Sequence, residues 1–312
     1  LTIARPAGTE TVLARTVIVA TGAEGAGGRN VPAIFRDLPA DRWAHVNDTV
    51  DLAALAGRRI GILGSGASAF DIATAAVEAG ATEAKICLRR PAMPTQNPRR
   101  AMENAGFLAH YPDLPDAQRW GYMRHLYAIG QPPPEPTWKR AMATPGVSVH
   151  VATPWHALSL APDGSVRADS DGGRTLEFDF VFAATGHMTD LMTRPELATL
   201  AGDIALWRDR FTPPPGLEEP KLERFPYLGA FGEFLEKTPG TAPWLQRIFT
   251  ITRGAVLSLG PVSASGSNMK YTAPRLIAGV TRQLYFDNAA AEYDAIVGRE
   301  YHELTGVADA AE

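Results

Sequence analysis

At 312 residues the chain is about twice the ~150 residues of a typical domain, so two domains or one large one are expected. Its 45% hydrophobic and 21% charged residues are the composition of a globular protein, and 30 basic against 34 acidic residues leave a net charge of −4, with no electrostatic footprint for nucleic acid or an anionic membrane. The single cysteine, Cys87, excludes a disulfide framework, a redox-active Cys pair and a cysteine-based zinc site. No apolar run approaches the ~18 residues of an integral membrane segment, and cysteine poverty favours a cytoplasmic protein.

The chain opens on Leu1 to Arg5, which reads as a strand ahead of a turn at Pro6, Ala7 and Gly8. A strand at residue 1, with Leu in place of Met, reads as an N-terminally truncated end, so a targeting segment cannot be judged. Thr11 to Gly22 matches Thr175 to Gly186, 164 residues later, and at the same offset Leu1 to Arg5 faces Ser165 to Asp169. Each copy predicts a hairpin followed by a β-branched or aromatic strand ending at Ala-Thr-Gly. Two similar half-folds are implied.

Between the copies, Arg58 to Leu63 runs into Gly64, Ser65, Gly66, Ala67, Ser68 and Ala69, then into a helical stretch to Gly80. This is strand, G-x-G-x-x-A, helix. The first glycine permits the tight turn, the second lets the backbone approach a pyrophosphate, and the alanine lets helix pack on strand. The helix N-terminal amides then face the phosphate charge. Ala69, Ile72, Ala73, Ala76 and Val77 form the apolar stripe that would cover a sheet.

A second strand, Glu83 to Leu88, ends in Arg89 and Arg90, where a NAD-selective site would carry a carboxylate. Guanidinium groups match a 2′-phosphate in charge and fork geometry, so NADPH is favoured over NADH. Residues 91–145 interrupt the pattern with prolines around helical stretches near 99–109 and 116–130. They read as an insertion or lid rich in Met, Trp, Tyr and His, either plain core or a wall of a substrate pocket. Strands resume at Val147 to Ala152. After Gly186 long Pro- and Gly-rich connections dominate, a last helix is predicted over Ala273 to Tyr285, and the end reads as a frayed acidic tail.

Taken in order, the first Ala-Thr-Gly, the G-x-G-x-x-A loop with its following arginine, and the second Ala-Thr-Gly resemble the NADPH-dependent, FAD-containing monooxygenases of the flavin monooxygenase and Baeyer-Villiger type. The resemblance implies an α/β fold of two Rossmann-like dinucleotide-binding domains, the NADPH domain inserted in an incomplete FAD domain. It divides the chain into residues 1–34 as the end of a first FAD-domain segment, 35–57 as linker, 58–174 as NADPH domain, 175–305 as second FAD-domain segment and 306–312 as tail. It implies FAD and NADPH as cofactors, held at Gly64, Ser65, Gly66, Ala67, Ser68, Arg89 and Arg90, with Thr21, Gly22, Thr185 and Gly186 at the crossovers. The loop for the FAD pyrophosphate is expected upstream of Leu1. The family pattern F-x-G-x-x-x-H is not matched at Phe35, and His45 beyond it is assigned the part of a conformational linker.

The activity implied is oxidation of NADPH through FAD, with oxygen inserted into a small organic substrate. Two alternatives stand beside it: an NADPH-dependent flavin oxidoreductase that does not oxygenate, and a non-enzymatic NADPH-binding module. No catalytic residue is named. The seven histidines lack metal-ligand spacing, and neither a Walker loop nor a G-x-S-x-G elbow is present.

Overall fold

The computed structural model describes residues 1–299; the end of the 175–305 segment, His302 and the 306–312 tail lie outside the described residues. The chain begins with the hairpin β1 (Thr2–Arg5) and β2 (Gly8–Thr11), followed by β3 (Val17–Val19) and β4 (Gly27–Arg29). The next elements are β5 (Trp43–His45), β6 (Arg59–Leu63), α1 (Ala67–Glu78) and β7 (Glu83–Cys87). Four helices fill the insertion, α2 (Pro98–Met102), α3 (Ala105–His110), α4 (Asp116–Ile129) and α5 (Glu135–Ala143). Then come β8 (Val147–His150), β9 (Ala157–Leu160), β10 (Val166–Asp169), β11 (Thr175–Phe178), β12 (Phe180–Ala183) and β13 (His187–Thr189). The last elements are α6 (Trp207–Arg210), β14 (Ile248–Thr250), α7 (Val256–Leu259) and α8 (Met269–Val297).

Five of these strands form one parallel sheet in the order β5-β12-β6-β7-β8. A sheet covered on both faces needs continuous apolar strands, and β12 is buried along its whole length. On one face α1 buries Ala69, Phe70, Ala73 and Ala76 against Ile60, Ile62, Ile86 and Phe182. Each fully buried Ile or Phe contributes about 1.5–3 kcal/mol, and small alanines let α1 approach the strands closely. Trp138 of α5 closes this layer, its ring 5.4 Å from that of Phe70. The opposite face is covered by the antiparallel sheet β9-β10-β11, whose Leu158, Val166, Ala168 and Phe178 pack with Phe35, Trp155 and Val181.

The second unit is looser. Its sheet around the first Ala-Thr-Gly is the parallel pair β3 and β14, surrounded by Val19, Leu197, Ile204, Leu228, Phe234 and Leu245. The insertion bridges to it: Trp120, Met123 and Leu126 of α4 bury against Trp207, Leu222, Phe225 and Leu257. Arg119 anchors that contact by pairing with Asp116, donating to the Ser258 carbonyl at 3.1 Å and lying over the Trp207 ring.

Both halves of the repeat form hairpins, but in different registers. Thr2 pairs with Thr11, whereas Val166 pairs with Phe178. The second copy carries extra residues in its turn and fewer before its third strand, which restores the offset at Ala-Thr-Gly. Two boundaries also move. The segment 35–57 is not only linker, because it supplies edge strand β5, and the division at 174/175 cuts through residues that belong to the five-stranded sheet, since β12 pairs with β5 and β6. Helix α8 begins at Met269 and runs to Val297 rather than from Ala273 to Tyr285, with Pro274 accommodated in its second turn, and α5 was hidden by the prolines at its start.

Candidate dinucleotide and crossover site

The loop after β6 has the geometry its glycines suggest. Gly64 sits at φ +126°, and a Cβ there would lie 2.2 Å from the Ala184 carbonyl oxygen. The loop therefore packs directly on the end of β12. Gly66 caps α1 with an extended backbone, and a Cβ there would meet nothing within 4 Å. Open space at a helix N-terminus is what an approaching phosphate requires. Ser65 completes the turn, and Ala67 and Ser68 are the first residues of α1 and carry its first amides.

The two arginines after β7 divide. Arg90 donates to the carbonyl oxygens of Ala128 at 2.8 Å, Tyr127 at 3.1 Å and Ile129 at 3.4 Å. Cations at a helix C-terminus satisfy its orphan carbonyls, so Arg90 clamps α4 to the end of β7. Arg89 is exposed. Of the two residues expected to read the phosphate, Arg89 is the more exposed and Arg90 is half-buried.

The crossover lies one strand away. Asn30 donates its backbone N–H to the Gly186 carbonyl at 2.8 Å and its side-chain amide to the Thr185 carbonyl at 3.1 Å, while the Thr185 hydroxyl donates to the Asn30 carbonyl. Beyond this knot β4 and β13 pair antiparallel, so the outgoing and returning passages are zipped together. The first Ala-Thr-Gly sits apart from this knot: Gly22 turns at φ +82° and the Thr21 hydroxyl donates to Glu196 at 3.2 Å.

His45 ends β5 and is buried. Its Nδ1 accepts from the Asn47 N–H at 3.2 Å, which leaves Nε2 as the donor to the Gly186 carbonyl at 3.1 Å. Burial, and then the nearby Arg29 charge, hold this imidazole below its ordinary value against the Gly186 bond. His187 is held down likewise by burial and by the charge of Arg253, and its Nε2 accepts from the Asn47 amide at 2.9 Å. Arg29 pairs with Asp48, and Asp48 accepts from the His45 N–H at 2.7 Å.

Thr185, Gly186 and His187 line one side of a cleft of about 390 Å³ whose other sides carry Tyr127, Phe225 and Arg253. Tyr127 thus brings the insertion to the crossover. Trp120 and Met123 remain core, and His110 lies at the surface beside Asp113. Arg253, Lys221 and Arg224 escaped the sequence reading because they sit in Pro-rich connections without a motif; only the strand Ile248–Thr250 just ahead of Arg253 could have flagged it.

The sequence model for L-lysine 6-monooxygenase/L-ornithine 5-monooxygenase matches residues 2–119. An FAD-dependent urate hydroxylase of Xanthomonas campestris pv. campestris is 40% identical over 296 residues, 95% of this chain and 62% of the relative. The chain is similar to flavoprotein monooxygenases. It spans under two thirds of that relative's length. The fold agrees: an FAD-bound cadaverine monooxygenase from Erwinia amylovora superposes with a TM-score of 0.61 at 14% identity, over 88% of this chain and 63% of that one. An ornithine N-hydroxylase of Kutzneria sp. 744 gives 0.64 at 15% identity, over 90% and 67%. The α/β architecture with Rossmann-type parallel sheets is therefore that of flavoprotein monooxygenases. Among the described residues no helix is long and apolar enough to cross a membrane.

Proposed function

We propose that this chain supplies the NADPH-binding domain and part of the FAD domain of an FAD-dependent monooxygenase acting on a small organic substrate. The observation that carries the reading is the contact of the Gly64 turn with Ala184, which sets the glycine loop and the Thr185-Gly186 crossover side by side at the same ends of strands β6 and β12. A dinucleotide on the loop would extend along the sheet edge toward the crossover. The five-stranded sheet is the NADPH domain in this reading, and β3, β14 and α8 belong to the FAD domain.

The residues fit both groups in part. For NADPH, Gly64 to Ser68 would hold the pyrophosphate and Arg89 the 2′-phosphate. For FAD, Ser263 Oγ and Asn268 Oδ1, buried without a partner ahead of and at the N-cap of α8, are polar atoms able to bond a flavin ring, with Thr21 and Gly22 beside β3. When bound, NADPH supplies hydride and FAD the redox chemistry that meets oxygen. The chain's own part is positional. The Asn30 knot and the His45 bond fix the crossover, a neutral His187 faces the cleft, and the buried Tyr127 phenol, pushed up by that burial, stays protonated as a donor.

Urate is the substrate to try first, given the relative's activity. In FAD-loaded protein, NADPH should bleach the flavin absorbance, and air with urate should consume oxygen and urate together. NADPH oxidation that leaves every substrate unchanged would favour a reductase that does not oxygenate, and absence of flavin binding by the complete gene product would favour a simple NADPH-binding module.

A further inference from the structure

We propose that the cleft at the crossover is the binding site for a planar organic anion, with Arg253 its principal charged contact and Lys221 and Arg224 at its mouth. The inference rests on the monooxygenase reading and names the chemical class of its substrate. Although the whole chain is net negative, these three cations converge on one cleft of about 390 Å³, a volume suited to a small ligand. Among the described residues none of the three is engaged in an ion pair. Two carboxylates stand close by: Glu24 accepts from Arg29 and Asn47 and lies 3.6 Å from His187 Nε2, and Glu219 accepts from the Lys221 backbone N–H at 3.4 Å.

A fourth cation, Arg99, lies within electrostatic reach of Arg253. Arg99 donates to the Pro261 carbonyl at 3.0 Å, and burial followed by the charge of Arg253 pulls its pKa down. Like charges held together with no ion pair of their own among the described residues favour an incoming anion. Arg253 is also fixed from below, because the Thr252 hydroxyl bonds Thr250 at 2.9 Å and accepts from the Gly254 N–H at 3.3 Å. The planar guanidinium fork is itself pre-organised, so less freedom is lost for each bond it forms. Tyr127 and Phe225 provide aromatic walls, which suit a flat ring better than an aliphatic chain.

The anion could belong to the substrate or to the phosphates of NADPH, and separate titrations distinguish the two. In the FAD-loaded protein, urate and NADPH are each titrated by calorimetry into wild type, Arg253→Gln, Arg253→Lys and the exposed pair Lys221→Gln with Arg224→Gln. The expected result is urate affinity reduced about ten- to a hundredfold in Arg253→Gln, reduced less in Arg253→Lys, and reduced about threefold to tenfold in the double variant. NADPH affinity should move less than about threefold in all of them. Should Arg253→Gln fail to fold, the double variant, altered only at exposed positions, carries the test alone. Unchanged urate affinity overturns the assignment. So does loss of NADPH affinity with urate retained, which would give the cations to the dinucleotide. Urate binding that depends on Arg253 without oxygenated product would keep the cleft and remove the monooxygenase reading. Oxygenation of a neutral substrate by wild type that binds no urate would do the reverse.

Discussion

The Nε2 of His45 donates to the carbonyl oxygen of Gly186 at 3.1 Å, joining residues 141 positions apart. Through that bond the edge strand of the five-stranded sheet holds the passage by which the chain leaves it. His45 was singled out from the sequence as a conformational linker residue; in the structure it is buried and tied to the crossover. Removing His45 takes one of two donors from the Gly186 carbonyl, which keeps the Asn30 N–H at 2.8 Å, so the lost bond should cost about 0.5–1.5 kcal/mol. His45→Ala should lower the urea midpoint accordingly, and His45→Gln, which can still donate, should recover part of the loss. Equal midpoints for wild type and His45→Ala would show that the tether carries no energy.

Acid should weaken the folded chain. His45, His150 and His187 are all held below their ordinary value of 6.5, in each case chiefly by burial. The folded state then binds fewer protons than the unfolded one between the depressed values and about 6.5, so stability rises with pH across that window. Falling pH removes it again. Unfolding free energy measured from pH 7.5 down to 5 should decline below about pH 6.5, with a shallower slope in His45→Gln. The carboxylates held low, such as Asp179 beside Arg59, act in the same direction but only as pH falls through the carboxylate range. A flat profile between pH 7 and 5 would refute the neutral-histidine assignment.

How much of this was legible beforehand depended on whether chemistry or topology set the residue. Gly64, Gly66 and Ala69 stood out because a turn, an approaching ligand and a tight helix contact each demand small residues within a few positions. The pairing of β4 with β13, and of His45 with Gly186, left no trace, because contacts between residues so distant in sequence impose no local pattern. The two hairpins were recognised, yet their register was not, since Thr11 and Thr175 look alike in sequence while Thr11 pairs across to Thr2 and Thr175 to Asp169. Paired arginines present the same difficulty. Sequence cannot tell a guanidinium that meets phosphate from one that meets helix carbonyls.

Arg89 and Arg90 should therefore separate in experiment. Arg90→Ala frees three carbonyl oxygens at the end of α4 and should cost about 1–3 kcal/mol of stability, with NADPH and NADH affinity falling together as the insertion loosens. Arg89→Ala should leave the thermal midpoint almost unchanged and weaken NADPH about ten- to a hundredfold, with little effect on NADH. Loss of the preference for NADPH in Arg90→Ala alone would mean that its bonds to α4 yield to the cofactor.

The glycine loop offers the sharpest separation of fold from function, because its two glycines are required for different reasons. At Gly64 a methyl group would collide with the Ala184 carbonyl in a backbone conformation that only glycine adopts readily. Gly64→Ala should therefore lose at least about 1–3 kcal/mol and push the loop away from the crossover, lowering stability and NADPH affinity together. At Gly66 the same methyl would stand in open space on an extended backbone. Alanine is a poorer N-cap than glycine but leaves the unfolded chain less freedom, so the stability of Gly66→Ala should stay within about 1 kcal/mol of wild type. Its methyl would nonetheless occupy the position from which a pyrophosphate approaches the amides of α1. NADPH affinity should fall at least about tenfold, while thermal unfolding in the absence of NADPH is unchanged and the shift that NADPH induces in wild type shrinks or disappears. Undiminished NADPH binding by a folded Gly66→Ala protein would show that the dinucleotide does not lie on this loop.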